Sequence, residues 1–214
     1  MAGERGRFVV LEGIDGAGTT THVGRLADRL RDARVRVRST HEPSGGPVGM
    51  LIRQVLSGRL VLPGGCAPSW VTMALLFAAD RMDHVESEIE PFLAAGGVVL
   101  SDRYDASSLA YQSVSCREDA KRAIEWIRVL NRYVRRPDLT IVLDVSPEVA
   151  SERRSRRGDG VQLYDDSEVQ SSLAGFYKNL AAHMPGDRIT VVDGSGSIDD
   201  VHDRVWAEYS RVLA

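Results

Sequence analysis

The sequence predicts an α/β fold in which a central parallel five-stranded sheet carries helices on both faces, giving three layers. Three observations lead there. Short apolar runs of strand length recur at residues 7–11, 35–38, 98–100, 139–143 and 189–192. The stretches between them repeat apolar residues at helical spacing. A glycine-rich turn joins the first run to the first helical stretch. Alternating strands and helices imply crossover connections that cover both faces of a parallel sheet. Ligands of such sheets sit beyond the carboxyl ends of the strands, which directs attention to residues 13–20, 41–46, 102–104 and 144–147.

The first run, RFVVL, leads into LEGIDGAGTTTH. Gly13 and Gly18 fall in register with the pattern GxxxxGK[ST] and Thr20 takes its hydroxyl position, but Thr19 stands where the pattern has lysine. Glycines let a backbone wrap an anion with its N–H groups. The helix that follows, with Val23, Leu26, Ala27 and Leu30 on one face, adds unpaired donors and a partial positive charge at its start. The alternative is a tight connection with no ligand. After the second run, Gly45, Gly46 and Pro47 open a short helix. The longest helical stretch covers residues 67–95, with Phe77, Arg81, Val85 and Ile89 four apart. A further helix is expected over residues 118–133. Pro147 opens a helix that runs into SERRSRRGDG, an arginine-dense segment ending in Gly158 and Gly160 that has the character of a mobile flap.

With 214 residues, 43% apolar and 27% charged, the chain is expected to fold as one domain, 1–214. Its net charge of −3 argues against a general nucleic-acid or membrane-surface binder. Cys66 and Cys116 show no zinc-type spacing. No apolar signal core and no run of about 18 apolar residues occurs, so a cytoplasmic location is expected. Of the 27 basic residues only Lys121 and Lys178 are lysine, so any cation replacing the missing one in the first 120 residues must be arginine.

Asp102, Arg103 and Tyr104 follow the third run directly. An aspartate there can hold a magnesium ion's water shell and an arginine can clamp a phosphate through its planar fork; the alternative is a helix-capping aspartate with a surface arginine. Phe77 and Arg81 share a helical face, suited either to stacking on and reading a planar base or to a core ring beside a solvated rim. Arg153, Arg154, Arg156 and Arg157 are either a solvated face or lid arginines of the kind that neutralise phosphoryl transfer, worth about 10³ to 10⁵ in rate.

Taken in order, LEGIDGAG, HEPSGGPVG, LLFAADR, SDRYDASSLAYQ, LDVSPEVASERR, LYD and FYKNLA resemble one family over residues 8–206: the thymidylate (dTMP) kinases. The resemblance implies the three-layer P-loop NTPase fold with a short arginine-rich lid, about residues 153–165, and phosphorylation of dTMP to dTDP by Mg-ATP. It implies that Gly13, Ile14, Asp15, Gly16, Ala17, Gly18, Thr19, Thr20 and Thr21, with Arg153 and Arg157, hold ATP. Asp15, Glu42, Pro43, Phe77, Arg81, Arg103, Ser107, Tyr111 and Gln112 would hold dTMP, with Asp15 at the sugar 3′-hydroxyl and Arg103 on the acceptor phosphate. Thr20 and Asp102 would face Mg²⁺, and the catalytic set would be Asp15, Asp102, Arg103, Arg153 and Arg157. A homodimer through long helices is implied, with no nucleic-acid or membrane partner.

The chain departs from that family at Thr19, at His41 in place of arginine, at Ser44 in place of glycine and at Asp165 after Tyr164. Losing a donor aimed at developing charge costs about 10² to 10³ in rate, so one or more lid arginines are expected to supply the missing charge. The alternatives are a nucleotide-binding protein with weak or no kinase activity because of Thr19, and a kinase for another deoxypyrimidine nucleotide or a deoxynucleoside.

Overall fold

The computed structural model describes residues 5–61, 65–116, 119–157 and 166–213. Five parallel strands, β1 (Arg7–Gly13), β2 (Val37–His41), β3 (Val98–Asp102), β4 (Leu139–Asp144) and β5 (Ile189–Asp193), lie in the order β2-β3-β1-β4-β5. β1 alternates across the sheet. Val9 and Leu11 join the large core beneath α1 (Thr19–Asp32), α5 (Asp105–Ser115), α8 (Ser167–Lys178) and α10 (Ile198–Leu213). Phe8 and Val10 pack on the opposite face with Val85, Ile89 and Leu93. Because both faces are covered, the central strands are largely apolar, and the three-layer α/β arrangement follows.

Register carries the carboxyl ends to one rim: Leu11 and His41 each stand beside Asp102, Gly13 beside Leu143, and Asp144 beside Asp193. β2 extends to His41, beyond the expected end at residue 38. It is an edge strand with only one neighbour, so Ser39, Thr40 and His41 can be polar and still pair with β3. The third and fourth strands likewise run on to Asp102 and Asp144.

The long helical stretch begins at Trp70, where Ser69 caps it by accepting from the Thr72 N–H at 3.2 Å. It consists of α3 (Trp70–His84), a π-helical turn (Val85–Ile89) and α4 (Glu90–Ala94). Pro91 has no N–H to give the carbonyl one turn back, and a wider turn just before it removes that conflict. α2 (Pro47–Leu56) packs against α3 around Ile52, Val55 and Met73. The expected helix over residues 118–133 is α6 (Ala120–Leu130), and α7 (Pro147–Arg157) and the short α9 (Leu180–His183) complete the set. α5 has no counterpart among the expected helices. Residues 105, 106 and 108–113 are all buried, so this helix lacks the one-sided apolar stripe that periodicity detects. Among the described residues no helix is long and apolar enough to cross a membrane.

Candidate active site

The loop after β1 is shaped by glycine. Gly16 and Gly18 have φ of 94° and 99°, conformations that L-residues with a β-carbon adopt reluctantly. Gly16 has a second constraint: a Cβ there would lie 2.4 Å from the Ala150 carbonyl oxygen on α7. Gly18 is the N-cap of α1, which has no side-chain cap and no acidic residue in its first turn. The first N–H groups of the helix thus keep their capacity for an anion. Thr19 is the first residue of α1 and is buried. One residue on, the Thr20 hydroxyl donates to the Asp102 carboxylate. The other Asp102 oxygen, Oδ1, is buried and has no hydrogen-bond partner among the described residues.

Arg103 crosses from β3 to this loop. Its N–H is held by the Leu11 carbonyl at 2.9 Å, and its Nη1 donates to the Gly13 carbonyl at 2.7 Å, Ser107 Oγ at 3.2 Å and Tyr177 OH at 3.2 Å. Nη2 pairs with Asp15 Oδ1 at 2.7 Å. Beneath it lies Glu12, fully buried, which accepts from the Tyr104 N–H at 2.8 Å, Ser107 Oγ at 2.7 Å and Tyr177 OH at 3.1 Å. Burial pushes the Glu12 carboxyl up from 4.5 to about 7, although Arg103 and the hydroxyl donor of Ser107 pull the other way.

A cavity of about 150 Å³ opens beside Arg103. It brings together Asp15, Glu42, Pro43, Phe77, Arg81, Arg103, Ser107, Tyr111 and Gln112, the residues expected around one ligand, and adds Leu56, Tyr104 and Ser108. This volume lies below the roughly 300 Å³ typical of whole-ligand pockets and has room for a single planar ring. Arg81 is not a solvated rim. Its exposure is 0%, and its Nε donates to Glu42 Oε2 at 2.9 Å, Nη1 to Asn131 Oδ1 at 2.6 Å, and Nη2 to the Tyr104 carbonyl at 3.1 Å and Ser108 Oγ at 3.0 Å. Gln112 is 1% exposed, and neither end of its amide has a partner among the described residues. Buried amides are rarely left so, and this one lines the cavity.

The loop after β2 is fastened from behind. The Glu42–Pro43 peptide is cis, and Arg53 donates to the Pro43 and Ser44 carbonyls, both at 2.6 Å. Ser44 donates to Asp80 through both its N–H at 2.7 Å and its hydroxyl at 2.6 Å, so the serine at this position makes its own anchor. Glu42 Oε1 meets His84 Nδ1 at 3.3 Å, and His84 Nε2 meets Thr40 Oγ1 at 2.7 Å. Nothing in the structure explains the exposed His41.

On the other side of the glycine loop, a groove of about 390 Å³ runs between it, Arg153, His22 and Gly196, Ser197 and Ile198 of the β5–α10 connection. Arg153 donates to the Ala17 carbonyl at 3.1 Å and the Gly194 carbonyl at 3.0 Å, and Arg154 donates to the Asp15 carbonyl. Arg156, at the edge of the same groove, pairs with Glu152 at 2.6 Å. His22 is held at about 4, chiefly by burial and then by His202, so its ring is neutral near pH 7. The Arg157 side chain, Tyr164, Asp165 and the lid residues 158–165 lie outside the described residues.

Glu12, Tyr177, Asn131 and the β5–α10 loop were not among the residues singled out from sequence. A lone carboxylate inside an otherwise apolar strand was the available signal for Glu12; the others stand far along the chain from the partners they meet.

The family model described as thymidylate kinase matches residues 11–205. A probable thymidylate kinase of Pyrococcus horikoshii is 38% identical over 95% of each chain. One from Pyrobaculum aerophilum is 39% identical over 96% of this chain and 97% of its own. A thymidylate kinase of Rhodopseudomonas palustris is 38% identical over 99% of this chain and 92% of its own.

The raised Glu12 carboxyl has a consequence for stability. Between its ordinary value of 4.5 and about 7 the native state keeps a proton that the unfolded chain has released. Stability attributable to this group therefore falls as pH rises through that window, by at most about 1.4 kcal/mol per unit, and levels off above it. Glu12→Gln removes the titration. In urea unfolding, the wild-type value minus the variant value is expected to decline from about pH 5 to about pH 7 and then stay flat; a difference independent of pH would contradict the assignment.

Proposed function

Because the chain belongs to the thymidylate kinase family, we infer that it transfers the γ-phosphoryl group of ATP to dTMP, giving dTDP, as a single domain whose lid spans about residues 153–165. The observation that supports the acceptor is that Arg81 and Gln112 line one cavity. A guanidinium has donors and no acceptor, and four acceptors hold this one in a fixed plane. The base edge that meets it must present a carbonyl, as thymine does at position 4 and cytosine does not. The unpartnered Gln112 amide offers one donor and one acceptor, matching a carbonyl beside a ring N–H. Phe77 supplies a stacking face, and the bulk of Tyr111 disfavours a ribose 2′-hydroxyl.

Arg103 and Asp15 stand between this cavity and the glycine loop, so Arg103 would clamp the acceptor phosphate while Asp15 accepts from the 3′-hydroxyl. The backbone of residues 13–21, with Arg153 and Arg157, would cradle ATP, whose base would enter the groove beside His22. Phosphoryl transfer asks for alignment and charge neutralisation more than covalent chemistry. Thr20 and the open Oδ1 of Asp102 fit a magnesium ion held largely by nucleotide phosphates, since no three His, Cys, Asp or Glu side chains cluster as a ligand set among the described residues. When bound, Mg²⁺ neutralises phosphate charge.

Val71 and Leu75, one turn apart on α3, are exposed apolar residues, as are Met50 and Leu51 on the neighbouring α2, which suits a homodimer through long helices. Its soluble nucleotide substrates fit an enzyme of the cytoplasm.

Acceptor rates test the substrate. A methyl group in an apolar pocket is worth about 10- to 200-fold, so dUMP is expected to be slower than dTMP by that factor and dCMP slower still; a preference for any other nucleotide would overturn the assignment. Asp102→Asn is expected to raise the Mg²⁺ concentration for half-maximal rate about 10- to 100-fold; an unchanged requirement would remove Asp102 from the metal site. Leu75→Glu is expected to shift the protein to a monomer in sedimentation, and an unaltered species would place any dimer elsewhere.

A further inference from the structure

We propose that His84, which does not itself line the cavity, is a positioning residue for base selectivity: it holds the Glu42 carboxylate from behind, and through it the plane in which Arg81 faces the base. The inference rests on the reading of Arg81 as the group that meets a ring carbonyl of the acceptor.

Arg81 and His84 stand three apart on α3 and so share a helical face. Between them they take the two oxygens of Glu42. Arg81 Nε donates to Oε2 at 2.9 Å, with Nη2 2.7 Å from the same atom, and His84 Nδ1 meets Oε1 at 3.3 Å. All three side chains are at most 2% exposed, so water does not replace a lost contact. Among the described residues only His84 bonds Oε1. Without it the carboxylate is free to turn, and the guanidinium that shares its other oxygen turns with it.

The imidazole is held in its turn. A carboxylate has no proton to give, so the proton between Glu42 and the ring belongs to Nδ1. On the far side the Thr40 hydroxyl lies 2.7 Å from Nε2. A hydroxyl can give or accept and serves that nitrogen in either state. Glu88, 3.8 Å from Nε2, is beyond hydrogen-bond reach. Thr40 and Glu42 stand two apart at the end of β2, so one ring reaches both. The end of this edge strand is thereby tied to α3, just where the chain turns toward the cavity.

The test compares kcat/KM for dTMP and for 5-methyl-dCMP, which keeps the methyl group and carries an amine in place of the carbonyl at position 4. Asparagine reproduces the Nδ1 side of a histidine and glutamine the Nε2 side, so His84→Asn keeps the contact to Glu42 and His84→Gln only that to Thr40. The preference for dTMP is expected to fall about tenfold in His84→Gln and His84→Ala and to stay within about threefold of wild type in His84→Asn. A loss of fold stability alone lowers both rates together and leaves their ratio unmoved. A His84→Gln preference within about threefold of wild type, or equal losses in the Gln and Asn variants, would overturn the proposal while leaving the kinase reading intact. Should the histidine variants not fold, Thr40→Val, at a half-buried edge-strand position, carries the same test: at least about a threefold fall in the ratio is expected, and an unchanged ratio would overturn the proposal. A wild-type protein that makes no dTDP, or that uses 5-methyl-dCMP as readily as dTMP, would overturn the reading beneath it.

Discussion

Arg103 stands at the end of β3 with φ of 70°, a left-handed conformation that costs a non-glycine residue about 1–3 kcal/mol. What holds it there is visible on every side. Its N–H is fixed by the neighbouring strand, and its guanidinium is shared among the Gly13 carbonyl, Asp15, Ser107 and Tyr177. Glu12 lies below and gathers the Tyr104 N–H and the two hydroxyls that Arg103 also touches. The turned backbone aims the side chain back over β1, so one residue joins the cavity to the glycine loop. Asp102, which accepts from Thr20, is its neighbour in sequence, and Ser107 of α5 is among its partners.

The two halves of the site are built differently. The cavity beside Arg103 is walled by a fixed network: Arg81 is locked by Glu42, Asn131, Tyr104 and Ser108, and the Glu42 loop is locked in turn by Arg53 and Asp80. Selectivity among bases needs such rigidity, because a donor that could swing aside would tolerate an amine as well as a carbonyl. The glycine-loop side consists of backbone N–H groups at the start of α1 and of arginines carried by α7. α7 sets Arg153 and Arg154 against the carbonyls of that loop.

Much of this was legible in the sequence, and the reasons differ by element. β1, β3 and β4 are buried on both faces, and their apolar runs marked them. The edge strand β2 pairs on one side only, so its polar end at His41 left no hydrophobic trace. α5 is packed all round, and its small residues show no stripe. The cavity residues from Asp15 to Gln112 could be gathered in advance only through family resemblance, because their spacing spans most of the fold's first half. Asn131 and Tyr177 complete contacts to Arg81 and Arg103 from far downstream, which no local pattern encodes. Ser44 stands out in sequence only as a departure from the family's glycine; the bond from its hydroxyl to Asp80 shows that it is an anchor.

A double-mutant cycle on kcat/KM for dTMP, using Asp15→Asn and Arg103→Ala, tests the junction most directly. If the two residues act as one unit, removing both costs little more than removing either, with a coupling energy of about 1–3 kcal/mol. Strictly additive losses, or turnover near that of wild type in both single variants, would contradict the account.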